Sequence, residues 1–269
     1  MKHLLNHPLF IFALTFFACA FSVWFGSAII GRFRPKNAEK TADLGIIQTA
    51  TLTLLGLIIG FSFSMAIARY DQRKVLEEAE ANAIGTEFLR ADLLPPKLAA
   101  TTKASLLDYV DQRINFYSYQ EQEVGKIIKQ RTSELQSTLW NDLLPVMKNQ
   151  TNAMHVLIAS GMNEVINSEG YTQAAWWNRI PLMAWGLMAA IAICANLVVG
   201  YGAQNFKGNV GLFMLLPFVI ATSFFLIADI DSPRGGIIKV EPRNLIQLKK
   251  SLSQLIEVQA PQAKAAQSK

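Results

Sequence analysis

Apolar residues collect in four long blocks along this chain. They do not recur at the short period of a buried strand or a soluble amphipathic helix. Residues 9–30, 44–68, 180–200 and 209–228 each run without a charged side chain. About 20 mostly apolar residues cross the hydrocarbon core of a bilayer as a helix, so the pattern predicts four transmembrane spans. The first block is longer than the roughly 7–15 residue apolar core of a cleaved signal peptide, and its basic flank is Lys2 alone. It reads as a retained span. Pro181 fits the first turn of the third span, and Pro217, inside the fourth, predicts a kink by freeing the carbonyl of Phe213. Trp176, Trp177 and Trp185 bracket the start of the third span, as an interfacial aromatic belt does.

Residues 69–178, between spans two and three, have another character. They hold 11 Lys and Arg against 14 Asp and Glu, a net of −3. Residues 69–94 continue the second span without a breaker until Pro95-Pro96, in Ala, Glu and Leu, which are good helix formers. One helix is therefore predicted from about Leu44 to Leu93, with Gly85 its weakest point. From Leu98 to about Asp142, Leu106, Val110, Ile114 and Tyr117 recur at helical spacing. Pro145 and Gly170 are read as breaks between later helices. The segment is predicted to be helical and too small to bury a core comfortably alone. The predicted fold is an all-α membrane protein, with four transmembrane helices and a helical cytoplasmic domain inserted between the second and third. Its parts are a first transmembrane pair (1–68), the helical domain continuous with the second helix (69–178), a second transmembrane pair (179–230) and a cytoplasmic C-terminal tail (231–269).

Charge orients this arrangement. With the N-terminus inside, ten Lys and Arg near span ends fall on the inner side and five on the outer: Arg32, Arg34, Lys36, Lys40 and Lys207. The positive-inside rule then places both termini and the large loop in the cytoplasm. Composition excludes other classes. At 51% hydrophobic and 17% charged, wholesale disorder is ruled out. Two cysteines in 269 residues do not make a disulfide scaffold. The net charge of +5, with no run of five like charges, does not point to nucleic acid.

Catalytic equipment is not visible. His3 and His7 lie in the amino-terminal tail and His155 stands alone. No His, Cys or carboxylate group has metal-site spacing, and no phosphate-binding or nucleophile motif occurs. Neither an enzyme nor a cofactor is expected. Cys19 and Cys194 lie in spans and read as inert small hydrophobes. Asn149-Gln150-Thr151 matches a glycosylation sequon that has no meaning in a cytoplasmic loop.

The informative element is span two. Thr49, Thr53, Gly56, Gly60 and Ser64 are spaced four, three, four and four apart, forming one helical stripe of small or weakly polar side chains. Leu57 and Phe61 flank it. Close helix packing explains such a stripe, since Gly56 and Gly60 form a GxxxG pair. So does a conduit wall, in which bulky apolar rings gate by dewetting. At the membrane exit stand Arg69-Tyr70-Asp71, then Arg73 and Lys74, which face Glu77 and Glu78 as i,i+4 pairs on a solvated helix face. A second polar site, Asp229-Ile-Asp231-Ser-Pro-Arg234-Gly-Gly, closes span four. Arg234 is the expected partner for its carboxylates, and Asp231 a candidate cap for a following element.

These residues resemble a known family. The run Leu55-Gly-Leu-Ile-Ile-Gly-Phe-Ser-Phe-Ser-Met-Ala-Ile-Ala-Arg-Tyr70 is similar to the bacterial bestrophin-like family. So are Glu80-Ala-Asn-Ala-Ile-Gly-Thr86, Leu89-Arg-Ala-Asp-Leu-Leu-Pro95 and Ile227-Ala-Asp-Ile-Asp-Ser-Pro-Arg-Gly-Gly236. The likeness covers roughly residues 44–240. A more distant resemblance to true bestrophins rests on four spans, the large loop after the second, and Gly60-Phe61 followed by Arg69-Tyr70. It implies a pentameric ion channel with both termini in the cytoplasm, its second helix lining the axis and bulky side chains forming a neck. Phe61 would then be a neck residue, with Leu57 one turn before it. The acidic calcium-binding run after the last span of animal bestrophins is absent, and the bestrophin neck proline has no counterpart between Thr49 and Ser64. The resemblance implies inorganic ions, the bilayer and copies of the same chain as partners. The competing expectation is a membrane-anchored helical interaction or scaffold module without transport.

Overall fold

The computed structural model of the chain describes residues 7–33, 38–119, 121–149, 152–203, 206 and 208–267. Among these the fold is helical, with no strand. The helices are α1 (Pro8–Ala28), α2 (Ala38–Arg90), α3 (Pro96–Ser118), α4 (Gln122–Asn149), α5 (Ala153–Trp177), α6 (Leu182–Gly202), α7 (Val210–Asp231) and α8 (Arg243–Gln267). Four helices are long and apolar enough to cross a membrane. Arg34, Lys36 and residues 150–151 of the sequon lie outside the described residues.

The predicted long helix is present. α2 runs 53 residues without a break at Arg69, and a 3₁₀ turn at Ala91–Leu93 ends it before Pro95-Pro96. A proline bars the α conformation in the residue before it, which explains the stop. Gly85 does not weaken α2 into a break. A Cβ there would stand 2.8 Å from the Leu248 side chain, so the glycine lets α8 lie close. Two expected breaks are not breaks. Pro145 lies inside α4, four residues from its end, where few backbone bonds remain to lose. Gly170 lies inside α5 at an exposed position, and the 25-residue helix carries its propensity cost of about 1 kcal/mol without a break. The actual interruption between α3 and α4 falls near Tyr119, which the apolar spacing does not mark. α7 continues through Pro217, and Pro181 caps α6 from the position before its first residue.

The chain divides into two compact units, Met1–Tyr70 with Asn178–Lys239, and Asp71–Trp177 with Val240–Lys269. In the first, α1 crosses α6 at paired glycines. A Cβ on Gly200 would stand 2.1 Å from the Val23 carbonyl oxygen, and one on Gly26 would stand 2.3 Å from that of Leu197. Small residues permit such backbone approach, which drives helix association in lipid. Phe12 meets Phe218 of α7 edge-on at 5.9 Å, and Trp185 of α6 meets Phe224 at 6.0 Å. Leu55 and Ala66 of α2 join Met188, Ala192 and Ala195 of α6 and Ile220, Phe224 and Ile227 of α7 in the core.

The second unit buries a core that residues 69–178 do not build alone. Leu106, Tyr109, Val110, Ile158, Met162 and Val165 are fully buried, together with Leu245 and Leu252 of α8. The C-terminal helix supplies the missing apolar face. Trp176 belongs to this core. It is 3% exposed and packs on Phe116 at 4.8 Å and Tyr117 at 5.3 Å, so it is no interfacial anchor. Trp177 beside it is exposed.

Candidate functional site

Within the first unit, α2 shows two different faces. Leu55, Ser62 and Ala66 are buried, with Leu52, Ile58, Ile59 and Phe63 packed partly against the core. The stripe points the other way. Thr49, Thr53, Gly56, Leu57, Gly60, Phe61 and Ser64 are all exposed in the single chain. Nothing lies within 4 Å of a Cβ built on Gly56 or Gly60. Leu57 is 54% exposed and Phe61 64%. The Thr49 hydroxyl donates to the Gly45 carbonyl at 2.8 Å, which satisfies it within the helix.

The membrane-exit residues of the first unit are drawn together, with partners the sequence did not single out. Asp231, at the end of α7, is 2% exposed. It accepts the Ile180 N–H at 3.1 Å just before α6, and Arg69 of α2 and Arg179 lie 3.5 and 3.4 Å from its carboxylate. One carboxylate therefore ties three segments. Asp229 serves the turn after α7, accepting the N–H groups of Ile237 at 2.7 Å and Ile238 at 2.9 Å. A Cβ on Gly236 would fall 2.6 Å from the Asp229 carbonyl oxygen, so the turn closes only on glycine. Arg69 and Arg179, which the sequence reading did not name as partners of this carboxylate, both stand on Asp231. The contact Asp231 makes with the Ile180 N–H, two residues before α6, is not the cap on a following element that the sequence suggested. Tyr70 packs against the core of this unit. No group of three or more metal-ligating side chains occurs among the described residues.

The expected solvated face after Arg69 is largely buried. In the second unit Arg73, Glu77, Glu80 and Glu87 are all 2% exposed or less, while Lys74 and Glu78 are exposed. The Arg73 Nε donates to the Ala175 carbonyl at 3.3 Å, close to the negative end of α5. Glu77 caps α8, accepting the Leu245 N–H at 2.9 Å and the Asn244 amide at 2.6 Å. Glu80 receives the Arg113 Nε of α3 and the Thr172 hydroxyl of α5 at 3.1 Å. Arg113 also lies over the Phe116 ring at 4.5 Å and within 3.7 Å of Glu169. Burial, first of all, holds the Tyr109 and Tyr117 hydroxyls above the ordinary tyrosine value. Composition concealed this network, yet one signal was present. Arg73, Glu77, Glu80, Ile84 and Glu87 are spaced four, three, four and three apart, the period of a buried helix face.

Four helices long and apolar enough to cross a membrane, in a chain whose described residues hold no strand, define a multi-pass, all-helical membrane protein. The chain belongs to the bestrophin-like family, whose model, described as a Bestrophin-like domain, matches residues 13–245. The fold is similar to crystal structures of a bacterial bestrophin homolog from Klebsiella pneumoniae. One, a single-substitution variant, is 12% identical with a TM-score of 0.61, covering 91% of this chain and 98% of that one. Another is 12% identical with a TM-score of 0.61, covering 91% and 96%. At this identity the likeness concerns the fold. No curated protein matches the chain in sequence.

Proposed function

We propose that the chain is an oligomeric ion channel of the bacterial inner membrane, with both termini cytoplasmic and the outward stripe of α2 facing the symmetry axis. The observation that carries this reading is the stripe's exposure. α2 packs its bulky face into the core and leaves Gly56, Gly60 and three hydroxyl-bearing positions uncovered. The chain has a close glycine crossing, and it is at Gly26 and Gly200. Small-residue packing inside one chain therefore does not account for the stripe. Family membership supports the same reading, since the resemblance to bestrophins carries a pentameric channel with it. Four helices of one chain leave little room for an ion path, so the path forms between copies. Leu57 and Phe61 narrow it and resist wetting.

Phe61→Ala tests the proposal. Reconstituted in liposomes, the variant should pass ions faster than wild type because a hydrophobic constriction has widened. Absence of flux in both proteins, from a confirmed oligomer, would leave a membrane-anchored scaffold module as the better account.

A further inference from the structure

Glu87 differs from the other buried charges of α2. It is 1% exposed, and neither carboxylate oxygen has a hydrogen-bond partner. Arg90, one turn on, comes within 3.6 Å, an ion-pair distance too long for a hydrogen bond. Across from it α5 presents Gly161. A Cβ there would stand 1.9 Å from Glu87 Oε2 and 2.3 Å from Arg90 Nη1, so the two heads fill a notch that only glycine leaves open. On the same face of α5, Ile158, Met162 and Val165 are apolar and fully buried, and Glu164 points to solvent. On α3, Lys103 is engaged by Asp92 at 2.6 Å and lies over the Phe88 ring at 4.9 Å. No donor from α5 or α3 hydrogen-bonds the Glu87 carboxylate, and a buried ionised carboxylate without such donors is costly.

We propose that Glu87 is a proton-operated latch between α2 and α5: neutral, it lies closed over Gly161, and ionised, it loosens that contact to reach water. Burial supports this by pushing the Glu87 carboxyl up to about 7, with Arg90 pulling the other way. The folded value is raised, so the stabilisation is complete below the ordinary glutamate range and is lost as pH rises through about 7. Linkage with an ordinary glutamate in the open state makes opening about tenfold more favourable at about pH 8 than at about pH 6. The latch stands on the same continuous helix as the outward stripe.

The experiment is amide hydrogen exchange on the full chain in lipid nanodiscs, corrected for the chemical rate and read over residues 158–165. Wild type should exchange about tenfold faster at about pH 8 than at about pH 6, and Glu87→Gln should be flat across that range. A Glu87→Gln protein with the wild-type pH response, or a flat wild type, overturns the proposal. Should Glu87→Gln fail to fold, the infrared carboxylic-acid band of wild type decides. A band lost near pH 7, moving to higher pH in Arg90→Gln, supports the latch. A band absent above about pH 5 overturns it.

Discussion

Gly60 and Gly200 both sit in transmembrane helices, and the structure assigns them opposite responses to one added methyl group. At Gly200 a Cβ would meet the Val23 backbone oxygen at 2.1 Å and the Val23 carbonyl carbon at 2.8 Å. Backbone cannot rotate aside as a side chain can. α1 must then retreat by about 1 Å or more to restore ordinary contact distances, separating α1 from α6 along the crossing. Overpacking of this kind costs about 1–3 kcal/mol, and the lost contacts along both helices push Gly200→Ala to the upper end. At Gly60 the same Cβ meets nothing within 4 Å inside the chain. There alanine gains helix propensity of about 1 kcal/mol. The two variants should therefore differ by about 3–4 kcal/mol in the stability of the single chain. Thermal unfolding of detergent-solubilised monomer, followed by tryptophan fluorescence, reads this difference. Equal melting points would refute the assigned faces of α2 and α6. A Gly60→Ala chain that is stable as a monomer but assembles poorly would show that the stripe is packed between copies.

Two further outcomes are expected. Asp231→Asn should destabilise the first unit by about 3 kcal/mol, because it leaves Arg69 and Arg179 without their shared carboxylate; unfolding within 0.5 kcal/mol of wild type would remove that cluster from the account. Ser118→Cys, exposed at the end of α3, should resist a membrane-impermeant thiol reagent applied to intact cells and react after lysis, and labelling from outside would invert the proposed orientation.

The sequence alone determined the membrane class, the four spans and the unbroken α2. These depend on sums over neighbouring residues. Twenty apolar side chains decide transfer into lipid wherever their partners are, and Pro95-Pro96, the first prolines after the start of α2 at Ala38, end that helix. The small-residue stripe and its flanking Leu57 and Phe61 were legible for the same reason, since spacing along one helix defines a face. Tertiary structure decided which face meets what. Gly56 and Gly60 carry the familiar packing motif, yet the close crossing belongs to Gly26 and Gly200, because helix association depends on the shape of two surfaces. Arg69 and Arg179, far apart in sequence, converge on Asp231 only when α2, α6 and α7 are assembled. Arg73, Glu77, Glu80 and Glu87 look like a solvated helix face by composition. Their burial follows from helix ends and side chains supplied by α3, α5 and α8, up to about 170 residues away in sequence. Trp176 changed from a supposed interfacial anchor to a core residue by the same route, once α3 brought Phe116 and Tyr117 against it.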